Sequence, residues 1–343
     1  MKQFNFAEDV VSTEITVTDG FGDGGVGILT GTSFTTSSLS AAQKNYYYNL
    51  QYNSKDHLSV SYGHIAGSGS AEQSTTLEGT TKAVYGQFYN LLENDRSKLK
   101  KNTGFIINNA TASGAYFIVA ERLQMKDRLN PGTFTLAFSG SNTAGTATTL
   151  NLTDNSKTTD ATAAPFGEKY SIQVGSAGAV SDTTEHGFFY PDAGIFVLSA
   201  NQMSASLPGK VAYQTAAIGT PAFVQGNGFS QDTRVNSAAD NAHKLVVALS
   251  KGSVTLRSEE KQFIYDYFCR AKANEFNYSQ NLTFWSGSQY DIRHTDMINN
   301  PQVYITEVGL FDETGELMAI GRLSSALEKN FSSEAIIKVR LTY

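Results

Sequence analysis

Apolar and polar residues alternate along much of this chain, a two-residue period that is typical of half-buried β-strands. Tyr46–Tyr52 and Leu58–His64 flank the turn residues Asn53–Asp56, and this arrangement predicts a β-hairpin. Similar patterns predict further strands at Glu14–Thr18, Gly104–Ile107, Ala115–Glu121, Thr133–Phe138, Tyr170–Val174, Gly187–Tyr190 and Gly194–Leu198.

One segment has a helical period instead. Between Thr80 and Asn94, the apolar residues Val84, Phe88, Leu91 and Leu92 recur at steps of three and four residues. This spacing places them on one side of a helix, so the segment is predicted to be an amphipathic helix.

Across residues 201–260 the pattern does not separate helix from strand, and Leu245–Leu249 fits a short buried piece of either. Gln262–Ala271 alternates and predicts a strand, although Ser258–Glu260 would also suit the start of a helix. Small polar residues dominate positions 139–184, which indicates long loops or an elaborated outer hairpin.

The region from residue 301 to 343 contains three strand-like runs. Asp312–Gly315 is a turn sequence between the first two runs and predicts a hairpin, and the third run alternates Ile337, Val339, Leu341 and Tyr343 with polar residues. We expect one buried sheet face formed by Leu310, Ile320, Val339 and Leu341.

These patterns predict a mainly β fold with antiparallel sheets, sandwich-like, with one or a few short helices and long loops. The expected organisation is an N-terminal arm at 1–44, a central β-rich domain at 45–255 with long polar loops at 139–184, and a C-terminal β region at 256–343 with the terminal hairpin. The arm is rich in glycine, and we expect it to lie across a neighbouring subunit and to act in assembly rather than in folding.

The composition and net charge of the chain make some classes of binding partner less plausible than others. The net charge of −6 disfavours nucleic acid, because phosphate binding needs a positive surface. The short basic cluster of Arg96, Lys98, Lys100 and Lys101 is interpreted as a solvated loop, or else as a contact for an acidic patch on a neighbour. The chain lacks eighteen consecutive apolar residues and an apolar leader, so we expect no membrane insertion and synthesis in the cytoplasm.

The residues that carry chemistry are sparse. Cys269 is the single cysteine and is interpreted as a buried packing thiol, and the histidines are scattered without helical pairing. Gly22, Gly24 and Gly27 match G-x-G-x-x-G, but β-prone residues follow where a phosphate-binding loop needs a helix. Asp19 with Asp23 is too small a set for calcium. We therefore predict no enzyme activity, no cofactor and no metal site.

Several blocks carry a resemblance to a known family. Ile305–Ser324 reads ITEVGLFDETGELMAIGRLS, and EAIIKVRLTY follows at Glu334–Tyr343. With them this chain resembles virion structural proteins of contractile-tailed bacteriophages, and the hairpin is similar to one in phage tail-collar fibre proteins. The remaining blocks occur in the same order as in those proteins: Asn45–His64, Gly67–Ser70, Ala83–Leu92, Arg128–Gly132, Gly187–Leu198, Asn274–Ser279, Ile292–His294 and Met297–Pro301.

The resemblance implies a structural subunit of a contractile tail, in the baseplate or an adjacent component, that contacts other tail proteins in multiple copies around a six-fold or three-fold axis. It implies location in the virion tail, assembled in the host cytoplasm. The alternative function is a receptor-binding or fibre-attachment protein that recognises host surface glycans.

Four residues near the terminal hairpin are the candidate interface: Phe276, Tyr278, Trp285 and His294. A polar run interleaved with aromatic residues offers hydrogen bonds and large rigid surfaces, which are common in interfaces. The competing interpretation is that Phe276 and Trp285 cover the hairpin within one subunit, and that His294 is an ordinary loop residue.

Overall fold

The computed structural model describes residues 4–21, 28–30, 34–36, 38–67, 70, 79–93, 104–210, 228–229, 238–279, 281–289 and 291–343. The chain divides into two compact units. The larger unit is Val17–Glu260, and the smaller unit combines Met1–Thr16 with Lys261–Tyr343.

The described α-helices are short. They are α1 (Phe6–Asp9), α2 (Ala41–Lys44), α3 (Thr80–Leu92), α4 (Ala200–Ser206) and α5 (Ala238–Ser250).

Strands make up most of the regular structure in the described residues. The strands that precede α4 are β1 (Val10–Gly20), β2 (Ile28–Thr30), β3 (Phe34–Thr36), β4 (Tyr48–Tyr52), β5 (Lys55–His64), β6 (Ile106–Ile107), β7 (Ala110–Thr111), β8 (Gly114–Ala120), β9 (Arg128–Leu129), β10 (Thr135–Ser141), β11 (Ala147–Asp154), β12 (Thr162–Ala164), β13 (Gly167–Ser176), β14 (Ala179–Tyr190) and β15 (Ile195–Ser199). The strands that follow α5 are β16 (Ser253–Thr255), β17 (Arg257–Ala271), β18 (Trp285–Ser286), β19 (Asp291–Ile292), β20 (Val303–Phe311), β21 (Leu317–Lys329) and β22 (Ala335–Thr342).

The larger unit is built on one antiparallel sheet with the order β2-β16-β10-β11-β13-β14-β15-β8-β5-β4-β3, and β12 pairs with β13 beside this path. The predicted mainly β fold with antiparallel sheets and few short helices is confirmed. The predicted hairpin around Asn53–Asp56 is also confirmed, as β4 and β5.

The centre of this sheet is buried on both faces, as the nearly uninterrupted apolar sequence of β8 requires. Tyr116 and Ile118 belong to one hydrophobic cluster, and Phe117 belongs to another. Helix α3, predicted from its apolar period, lies in the second cluster, where the Phe88 and Phe117 rings stack with centroids 4.2 Å apart. The Tyr85 hydroxyl of α3 donates to Ala112 O at 2.7 Å.

The structure shows which elements form where the sequence pattern allowed more than one. Leu245–Leu249 lies in α5, where Leu245 and Leu249 are fully buried in the first cluster. Gln262–Ala271 is the strand that alternation predicts, since it lies within β17. Residues 139–184 are not long loops: they form strands β10 to β14 joined by short connections, as in the alternative of an elaborated hairpin. Their small polar side chains suit solvent-facing strand positions, which is why composition alone indicates loops.

In the larger unit, ion pairs connect β9 with β13 and with the first residues of β17. Arg128 in β9 donates to the carboxylates of Glu259 and Glu168, and Asp192 Oδ1 lies 3.6 Å from its Nη1. Glu259 is buried, so the paired guanidinium compensates for the loss of its hydration.

In the smaller unit, β17 lies between β1 and β22, whereas β20 and β21 form a separate two-stranded sheet. The expected single buried face is therefore wrong. Leu310 is buried, but Ile320 is 55% exposed, and Val339 and Leu341 belong to β22, which pairs with β17. Alternation defines two faces of each strand but does not determine which strands pair.

Two predicted features lie outside the described residues: the glycine motif with Asp23, and the basic cluster of residues 96–101. Part of the expected arm is described, and it contains α1 and β1. Phe21 follows β1 and is fully buried in the core of the larger unit.

Candidate interaction site

The loop that follows β17 is organised around a buried lysine. Lys329 is fully buried, and its ammonium donates to Asn277 Oδ1 at 2.7 Å, Asn330 O at 2.9 Å and Ala273 O at 3.0 Å. These three acceptors match the three N–H donors of an ammonium group. Asn277 is also buried and donates to Ala273 O at 2.8 Å. The two side chains thereby tie the loop to the end of β21.

Phe276 stands at the tip of this loop in an unusual conformation. Its φ of 56° lies in the left-handed region, although it has a Cβ, and its side chain is 55% exposed. Such backbone costs about 1–2 kcal/mol for a residue other than glycine. Since no burial of the ring offsets this cost, the hydrogen bonds of the neighbouring Asn277 hold the position.

Trp285 supports the same loop from a second hairpin, β18–β19. Its indole N–H donates to Ser279 O at 2.6 Å, and its ring lies 6.2 Å from the Tyr278 ring and 5.1 Å from the Phe284 ring. Arg293 closes this hairpin, because its backbone N–H donates to Phe284 O at 3.0 Å and its Nε donates to Trp285 O at 3.2 Å. Trp285 is therefore partly buried, while Tyr278 is 62% exposed.

An open cleft of about 450 Å³ lies in the smaller unit between the loop and the start of β20. Phe276, Tyr278 and His294 line this cleft, so three of the four predicted residues are brought together. Trp285 is absent from the lining and packs against Tyr278 instead. Their role in an interface stays a prediction.

Sequence reasoning missed other residues of the site. Gln302 and Tyr304 line the cleft, and Lys329 orders the loop beside it. Tyr304 belongs to an alternating run, which marks it as a strand residue but not as part of a cleft. Lys329 carries no local signal, since a lysine at a strand end ordinarily predicts exposure.

A second surface feature is the apolar face of the β20–β21 hairpin. The register pairs Phe311 with Leu317 and Gly309 with Ile320, which places these side chains on one face. Phe311 is 45%, Leu317 is 49% and Ile320 is 55% exposed. Glu307 and Arg322 continue this face as an exposed ion pair at 3.4 Å. Contiguous exposed apolar side chains of this kind mark interaction surfaces.

Reactive groups are few in the described part of the chain. No group of three His, Cys, Asp or Glu side chains there is placed to hold a metal ion. His186 and His57 are buried, and each imidazole Nδ1 lies within hydrogen-bond distance of a backbone carbonyl. Cys269 is partly buried, and burial raises the pKa of its thiol. No described helix combines the length and the hydropathy that crossing a bilayer requires.

Comparisons with protein families, with curated proteins and with solved structures return no match to this chain.

Proposed function

We propose that this protein is a structural subunit of a contractile bacteriophage tail, in or next to the baseplate, that acts through contacts with other tail proteins. The motif blocks support this proposal because they follow one order along the chain and include the terminal hairpin. In this reading the subunit is present in several copies around a six-fold or three-fold axis.

The observation that carries the proposal is the exposed apolar face of β20–β21. Burying a side chain such as Phe311, Leu317 or Ile320 contributes about 1.5–3 kcal/mol when it starts fully exposed, and somewhat less from half exposure. These side chains stay exposed to water in an isolated subunit, whereas in an assembled tail they would be buried in the core of an interface and stabilise it. The face also lies within Ile305–Ser324, the block with the most extended resemblance.

The hairpin offers a second mode of contact. Within the described residues, β20 and β21 pair only with each other, so each has an outer edge without a strand partner. A strand from a neighbouring tail protein can pair with such an edge through backbone hydrogen bonds. The proposed contacts therefore combine an apolar face with an open sheet edge.

Incorporation into particles tests this function. Ile320→Asp places a charge on the exposed apolar face, and Ser324→Asp places the same charge at an exposed polar position of the same strand. We expect Ile320→Asp to reduce the amount of subunit in purified tails at least about tenfold, since burying an unpaired carboxylate opposes assembly. Ser324→Asp should be incorporated normally.

Electron cryomicroscopy of intact particles locates the subunit directly. Density for the chain in the tail, with the β20–β21 face against a neighbour, is the expected result. Purified virions that lack the protein would refute the proposed function, and normal incorporation of Ile320→Asp would remove the hairpin face from it.

A further inference from the structure

The described lining of the cleft beside Phe276 is aromatic and polar, without acidic residues, lysine or arginine. The described lining residues include the aromatic residues Phe276, Tyr278 and Tyr304, the amide residues Asn281 and Gln302, and His294, but no Asp, Glu, Lys or Arg. Such a lining provides no carboxylate, ammonium or guanidinium group to pair with a charged ligand. It suits a neutral ligand.

The residue types specify the ligand further. Side-chain amides donate and accept hydrogen bonds at once, which matches the hydroxyl groups of a sugar. Aromatic rings present flat apolar faces on which the C–H groups of a sugar ring can pack, and they lose little conformational entropy in doing so. A neutral oligosaccharide combines both chemistries in one molecule.

The size of the cleft favours a small ligand over a protein partner. Its volume of about 450 Å³ lies within the usual range of small-molecule sites, roughly 300–1,000 Å³. A stable protein–protein interface covers about 800 Å² on each partner, which is much more surface than one cleft of this size supplies.

The cleft is also held in shape before any ligand arrives. Hydrogen bonds from Lys329 and Asn277 hold the loop in place. Phe276, whose backbone is in the left-handed region, is exposed to solvent at the tip of the loop. Strained backbone that the surrounding structure maintains is typical of binding sites. A rigid site loses less entropy on binding, which favours weak ligands such as sugars.

We propose that this cleft binds a neutral oligosaccharide, with Phe276 and Tyr278 packing on sugar rings and Asn281 and Gln302 bonding to hydroxyl groups. The site is independent of the proposed assembly role, since a structural subunit can carry it on a surface that assembly leaves open.

The single tryptophan provides a built-in reporter. Trp285 contacts Tyr278 and bonds to Ser279, so occupation of the cleft should change its fluorescence. The full chain is titrated with maltohexaose, cellohexaose, mannohexaose and chitohexaose, and calorimetry repeats any titration that gives a response. We expect saturable binding of at least one of these probes at millimolar concentration or below.

Matched variants assign the response to the cleft. Phe276→Ala and Gln302→Ala should each weaken binding about tenfold. Phe331→Ala is the control, because Phe331 is 57% exposed, similar to Phe276, but is absent from the lining. It should bind as the unaltered protein does. Thermal melting checks that every variant is folded.

Three results would overturn the proposal: no saturable response to any of the four probes, equal binding by Phe276→Ala and the unaltered protein, or stronger binding of heparin than of the neutral probes. The measurement uses isolated protein, so its failure leaves the proposed tail function untouched. Loss of incorporation into particles, in turn, does not affect the sugar result.

Discussion

At the scale of single residues, the smaller unit places charged groups where they organise the backbone. Lys329 is buried among three neutral oxygen acceptors, and its charge is stabilised by dipoles rather than by a carboxylate. Leaving any of those acceptors unpaired would cost about 1–3 kcal/mol. The lysine therefore stabilises the folded position of the Phe276 loop through its hydrogen bonds to Ala273 and Asn277.

Asp266 shows the opposite arrangement, in which one carboxylate forms ion pairs with two cations, Lys338 and Arg340. Its oxygens accept from Arg340 Nε at 2.8 Å and lie 2.7 Å from Lys338 Nζ, on the pair β17–β22. The hydrogen bonds from Arg340 and then Lys338 hold the pKa of this carboxyl well below its usual range. A carboxyl with a depressed pKa stabilises the folded state above its unfolded pKa, and this contribution is lost as the pH falls toward the folded pKa.

We therefore predict that Asp266→Asn lowers stability at neutral pH, and that the gap to the unaltered protein narrows below about pH 4. Urea unfolding at a series of pH values measures the gap. Asp296→Asn is the control, because it removes the same charge at an exposed site and should change the stability at neutral pH by less than about 0.5 kcal/mol. A gap of constant size from neutral to acidic pH would contradict the role given to this ion cluster.

At the scale of elements, the β20–β21 hairpin combines a buried leucine, Leu310, with an exposed apolar face. Leu310 is 6% exposed, and Ile320 on the facing strand is 55% exposed. Both residues are aliphatic, and Ile320 is the neighbour of Ala319, which lies opposite Leu310, so the two form a matched pair for mutation.

Leu310→Asp should destabilise the isolated protein by about 3 kcal/mol or more, since it buries an unpaired charge. Ile320→Asp should change the stability by less than about 0.5 kcal/mol, as expected for an exposed position. Urea unfolding of both variants tests this difference. Equal losses would mean that the outward face is buried in the free subunit, and that it cannot be the surface that assembly covers.

The positions of the strands were predictable because the alternation of apolar and polar residues is a local property of the sequence. Which strands pair with each other was not predictable, because pairing joins segments that are distant in sequence. β22 follows the hairpin in sequence but pairs with β17, with Val339 opposite Tyr267. The aromatic cleft residues were partly predictable, because Phe276 and Tyr278 stand within a polar run that signals a surface. The buried state of Lys329 was not, since its acceptors at Ala273 and Asn277 lie 56 and 52 residues away in sequence.

At the scale of the whole molecule, the first residues contribute to both units. Phe4 packs on Tyr267 and Asp9 pairs with Arg270 in the smaller unit, while Phe21 is fully buried in the larger unit, with its ring 6.0 Å from that of His57. The assembly role expected for the arm therefore has to be tested with a truncation that spares β1 and Phe21.

We predict that a chain lacking residues 1–9 folds but enters tails poorly, whereas a chain lacking residues 1–21 loses at least about 3 kcal/mol of stability, because it lacks a core phenylalanine. Urea unfolding and the composition of purified particles measure the two effects. Normal incorporation of the shorter truncation would exclude an assembly role for residues 1–9.

The smaller unit is built from segments that precede and follow the larger unit in sequence. This order has a consequence for synthesis, since domains generally fold as they leave the ribosome. The larger unit can fold as soon as Glu260 has emerged, but β17 gains its partner β22 only after residues 335–342 are translated. The β20–β21 hairpin and the cleft are therefore completed only after the larger unit has been translated, so neither surface can bind a partner while that unit is still being synthesised.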